Sequence, residues 1–155
     1  MTGQKGNSEG VTLIELVAAM AIISILMTGI IPLSQVSYKR SQEIELKQNL
    51  RIIRSAIDEY KKAVDDGKIS KDAQASGYPE TLEVLVEGVL LKGPVPRKIK
   101  FLRRIPKDPM TPDGTWSLRS YSDDHDSDIW GGQDVYDVYS KSEKQAIDGT
   151  FYRNW

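Results

Sequence analysis

A chain of 155 residues with 21 basic and 22 acidic side chains suits one domain plus an anchor, and it carries no net charge that would hold a polyanion such as nucleic acid. The absence of cysteine excludes disulfides, thiolate metal sites and cysteine nucleophiles. A lone histidine, His125, argues against a histidine-based triad or metal cluster.

Residues 1–10 read as a short polar leader in which Lys5 and Glu9 are the charged side chains. An ordinary secretory signal starts more basic and ends in a small-residue cleavage site after its apolar run; no Ala-x-Ala stands directly after Leu33. Val11 to Leu33 is almost wholly apolar, with Glu15 as its one ionisable residue. As a helix it reaches roughly 33 Å, enough to cross a hydrocarbon core of ~30 Å. A charge in such a segment costs about 2.5–3.5 kcal/mol, which makes Glu15 a candidate functional residue. The plainer alternative is a signal-anchor helix with Glu15 at the membrane edge. Pro32 lacks a backbone donor and is expected to kink or loosen the helix, with Gly29 adding freedom.

Beyond Pro32 the chain turns polar but keeps a helical period. Leu46, Leu50, Ile53, Ile57, Tyr60 and Val64 form a one-sided apolar stripe of the kind that packs on a domain, and Gly67 is a stop signal. Residues 69–77 read as a loop. Tyr78 to Gly88 predicts a short helix, with Pro79 in its first turn and glycine past its end. Val89 to Arg104 is basic and broken by Pro94 and Pro96, and Pro112-Asp113-Gly114 marks a turn. Trp116–Tyr121 and Val135–Ser140 read as strands, with a shorter strand or arm over 150–155. The fold class is therefore α+β.

Four aspartates fall between Asp123 and Asp128. Asp124, Asp126 and Asp128 imitate the start of a calcium loop, but Ile129 takes the place of its glycine and Val135 that of its bidentate glutamate. The competing reading is a solvated hairpin tip.

Gly10-Val11-Thr12-Leu13-Ile14-Glu15-Leu16 resembles the processing site of type IV pilins and of the pseudopilins of type II secretion. The resemblance implies that a prepilin peptidase cuts between Gly10 and Val11, that the new N-terminus at Val11 is methylated, and that Glu15 and Pro32 stand where the family has its glutamate and a proline. Val11 itself departs from the family, which more often has phenylalanine there. Four residues apart, Glu15 shares a helical face with the new amine at Val11, and it can pair with that amine or with a neighbouring copy's.

Tyr78-Pro79 with Thr81-Leu82, then Ile105-Pro106-Lys107-Asp108-Pro109, then a small terminal sheet, are similar to the major, G-type pseudopilin. The likeness is strong over Gly10–Leu33, moderate at the two proline segments and loose after Trp116; where that family commonly has Asp-Pro-Trp-Gly, this chain has Asp108-Pro109-Met110-Thr111. It implies a pilin-like fold: a leader at 1–10, a transmembrane or fibre-core helix at 11–33, and a periplasmic head at 34–155. The head would be a small antiparallel sheet packed on the amphipathic half of the helix.

The likeness also implies calcium near the C-terminus, held by Asp148 with Ser142 or the carbonyls of Lys141 and Ala146; Lys144 occupies the place of a second family aspartate. A bare Asp-Gly turn, with Asp148 bonding its own backbone, is the competing reading. The function implied is structural rather than enzymatic: a subunit of a periplasmic fibre that drives export. Its partners would be copies of itself, the peptidase, minor pseudopilins and an inner-membrane assembly platform. A surface type IV pilin and a membrane-anchored ion-binding or receptor domain are the alternatives. The carboxylate cluster lacks the partner base or nucleophile that an enzyme would need.

Overall fold

The computed structural model describes residues 11–70 and 75–155, with the side chains of 28–33 outside that description. It divides into two units, Met1–Lys39 and Arg40–Trp155. Helix α1 (Leu13–Asp65) is the N-terminal element of the described chain, and the backbone stays helical through Pro32. The loosening expected there therefore does not interrupt the helix; proline removes a single i→i−4 bond, and the bonds on either side carry the period across it.

In the first unit every described side chain from Val11 to Met27 is exposed. A helix that is apolar on all sides is stable only in lipid or against other apolar helices. Among the described residues no helix is long and apolar enough to cross a membrane. The expected span at 11–33 runs through 28–33, whose side chains lie outside the description. Ser24 sits inside this apolar stretch, and its hydroxyl donates to the Met20 carbonyl at 2.7 Å, one turn back.

In the second unit the predicted stripe is the spine of the core. Leu46, Leu50, Ile53, Ile57 and Val64 are buried and Tyr60 packs against them. The core is completed by Leu82 and Leu85 of α2 (Leu82–Glu87), by Leu102, Trp116, Val135 and Val138, and by Tyr152. Helix α2 begins later than its sequence suggested. Pro79 stays outside the helix and is buried, and its carbonyl accepts the Val135 amide at 2.7 Å, a bond that helical geometry would have taken away.

The sheet is two separate ribbons. Strands β1 (Val89–Leu91) and β2 (Arg97–Ile99) pair antiparallel within the stretch that read only as basic and proline-broken. Strands β3 (Trp116–Arg119) and β4 (Asp137–Ser140) pair antiparallel, Trp116 opposite Ser140. Both are shorter than predicted. Tyr121 and Ser120 leave the ladder because their amides go to the carboxylates of Asp134 and Asp123. The last residues form one bridge, Gln145 to Phe151, and a 3₁₀ turn at Tyr152–Asn154.

Candidate processing and assembly site

The N-terminal site is built on the first turn of α1. Thr12 precedes it, and its amide and hydroxyl lie 3.4 and 3.5 Å from Glu15 Oε2. The Glu15 amide in turn donates to Thr12 Oγ1 at 3.4 Å. This reciprocal pair is a capping box, which satisfies two of the helix's unpaired donors. Sequence reasoning assigned Glu15 a role towards an amine and missed Thr12, although Thr-x-x-Glu before an apolar run is the signal for such a box. The carboxylate thus has a partner inside its own chain. Val11 is exposed and lies beside the box; Gly10, on the other side of the expected cut, lies outside the described residues.

At the C-terminal candidates the structure shows the competing Asp-Gly turn, with Asp148 bonded to nearby backbone. Asp148 Oδ1 accepts the amide of Thr150 at 2.9 Å and its hydroxyl at 2.6 Å. These bonds, with the Lys47 ammonium further off, hold its carboxyl below the usual carboxylate range. The Ala146 carbonyl accepts the Gly149 amide at 3.1 Å. Ser142 is buried and its hydroxyl takes the Lys144 amide at 3.4 Å, while the Lys141 ammonium donates to the Thr115 hydroxyl at 2.7 Å.

Calcium takes six to eight oxygens. This set offers one carboxylate, already engaged, with a lysine charge near it, so as arranged it does not fit the ion. Among the described residues no group of three or more His, Cys, Asp or Glu is placed to hold a metal.

The aspartate-rich loop is organised by Asp123, which was not among the candidates. Its Oδ2 accepts the amides of Ser120 at 2.7 Å and Gly131 at 3.0 Å, and those bonds lower its pKa. Asp128 pairs with Arg153 at 2.7 Å, and Asp124 and Asp126 stand exposed.

What fastens the C-terminal segment is α1. Glu43 Oε1 accepts both the Ile147 amide and the Tyr152 hydroxyl, each at 2.8 Å. Arg54 donates to Asp137 at 2.7 Å and, through one nitrogen, to the carbonyls of Val138 at 3.1 Å and Trp155 at 2.8 Å. The Lys47 ammonium sits 4.2 Å over the Trp155 ring. On the same helix, Gln42 and Asn49 hold the carbonyls of Pro109 and Lys107 at 3.1 and 3.0 Å. Nothing in the sequence marks these residues, because contacts made 58 to 109 positions away leave no local pattern.

Residues 5–31 match the family model described as the prokaryotic N-terminal methylation motif. No curated protein and no solved structure matches the chain. The capping box and the apolar helix both fall inside the matched stretch. The motif implies processing by a prepilin peptidase and assembly into pilin-like fibres. The chain thus carries, at residues 5–31, the class III signal peptide of type IV pilin-like proteins and pseudopilins.

Proposed function

We propose that this chain is a structural subunit of the periplasmic pseudopilus of a type II secretion system. It is anchored in the inner membrane by residues 11–33 until it joins a fibre that drives export through the outer membrane. The observation that carries the reading is register. The methylation motif runs directly into a helix whose described side chains from Val11 to Met27 are almost wholly apolar and all exposed, with Glu15 its lone charge. Such a surface has to be covered, and lipid followed by copies of the same helix would cover it in turn. The proline-rich segment supports the secretion reading over a surface pilus. Ile105 to Pro109 resembles its counterpart in G-type pseudopilins, and its buried Asp108 accepts the Ser140 hydroxyl at 2.6 Å and the Met110 amide at 2.8 Å.

The test is intact mass and N-terminal sequencing of the protein taken from its own membrane, followed by localisation of its fibres. A methylated N-terminus at Val11 and fibres confined to the periplasm are expected. A chain starting anywhere else overturns the reading, and fibres on the cell surface give it to a type IV pilus.

A further inference from the structure

Seven cationic side chains and no carboxylate lie between Lys92 and Lys107, leaving 14 basic against 22 acidic residues elsewhere. All seven are exposed. The ion pairs among the described residues involve Arg54, Lys61, Lys68 and Arg153, so none of the seven is paired with a carboxylate of a described residue. The β1–β2 hairpin carries Lys92, Arg97 and Lys98 around its turn, and Leu90 and Val95, 63% and 66% exposed, stand among them. An apolar centre rimmed by exposed charge of one sign is the anatomy of a contact surface.

The complement is in the same unit. Asp124 and Asp126 are exposed and outside every ion pair among the described residues, and beside them Ile129 is 81% and Trp130 37% exposed. No ion pair joins this loop to the basic hairpin within one chain. We propose that the basic β1–β2 hairpin of one copy docks on the Asp124–Trp130 loop of the next. Leu90 and Val95 meet Ile129 and Trp130, and the lysines and arginines surround Asp124 and Asp126. Because the two patches differ, the contact is head-to-tail and propagates from copy to copy instead of closing as a symmetric pair. It gives charge a part in the register between neighbouring heads and rests on the fibre reading above.

The absence of native cysteine makes the test direct. The full-length chain carrying Lys98→Cys and Asp126→Cys together is oxidised in its own membrane during assembly. A ladder of dimers, trimers and higher species is expected, which neither single-cysteine chain gives. Its yield should fall several-fold as salt rises from about 0.05 to 0.5 M. Charge reversal of the hairpin (Arg97→Glu with Lys98→Glu) is read by moving the hairpin cysteine to Val95. With the loop cysteine likewise moved from Asp126 to Ile129, this reversal should remove the ladder, and Asp124→Lys with Asp126→Lys should restore it, a rescue that misfolding would not produce.

A parallel Ile14→Cys chain reports contact between the apolar helices. Helix crosslinks without a head ladder overturn this proposal and leave the fibre standing; neither kind of crosslink overturns both. A ladder unmoved by charge reversal overturns the ionic docking. Suppose instead that Lys98→Cys is shielded from a water-soluble maleimide in anionic but not zwitterionic phospholipid vesicles, with no ladder. The hairpin then belongs to a lipid surface and the proposal fails.

Discussion

At the scale of single residues, Glu15 and Tyr152 show how a polar group is kept inside an apolar setting. Glu15 accepts from Thr12, so the carboxylate is partnered before any neighbour arrives. On the anchor reading proposed above, Glu15→Ala would remove a charge costing about 2.5–3.5 kcal/mol in a membrane. Anchoring and cleavage should persist or improve while incorporation into sheared or crosslinked fibres drops steeply; normal fibres would refute a role in register. Tyr152 is buried and gives its hydroxyl proton to Glu43. Burial first, and the Glu43 carboxylate second, push its pKa above the ordinary value. The folded state therefore holds this proton more tightly than the unfolded state. The stability it contributes is intact below about pH 10 and drains away as pH rises beyond it. Tyr152→Phe should cost roughly 1.5–3 kcal/mol at neutral pH, the range for a hydrogen bond to a charged group. It should also flatten the alkaline loss of stability measured by denaturant titration at several pH values.

At the scale of elements, the hairpin β1–β2 depends on how α2 ends. Gly88 closes that helix at φ 85°, and a Cβ there would drive into the Ile99 backbone carbonyl. Gly88→Ala should destabilise the second unit by about 1–3 kcal/mol and lower its Tm by several degrees in calorimetry. An unchanged Tm would mean that the hairpin shifts freely. The glycine was legible in the sequence as a helix stop, and the stripe from Leu46 to Val64 was legible because one face meets one core. The hairpin was not, since Pro94 and Pro96 fall in its connection and each strand is three residues long. The beginning of α2 was misjudged because Pro79 is fixed by Val135, 56 positions away, which no local propensity records. The N-terminal methylation motif was the most legible part, being wholly local, although the Thr12 half of its capping box went unread. The fastening of the C-terminus was the least, because Glu43, Lys47 and Arg54 look like any charged helix face.

At the scale of the whole molecule, the segment expected to need an ion is tied by the protein's own groups. Asp148 is engaged by Thr150, while Glu43 and Arg54 grip the segment on either side of it. Millimolar calcium should therefore leave the Tm of the full-length protein in detergent unchanged. An ion at a hundred times its Kd would add about 2.7 kcal/mol and a visible rise. A rise abolished by Asp148→Ala would restore the ion to this loop.

The same ties have a consequence in time. Glu43 and Arg54 belong to the first helix, yet their partners lie 83 to 109 positions later. Closing loops of that length is the slow part of folding, since their entropy is lost before the contacts repay it. A chain emerging from synthesis or translocation carries α1 long before Tyr152 exists to fill its core. The second unit should thus remain unfinished until residues 137–155 are free, and only the finished unit would present the hairpin and the aspartate loop to the next copy. On that proposal, completion of the chain would act as a quality check on assembly.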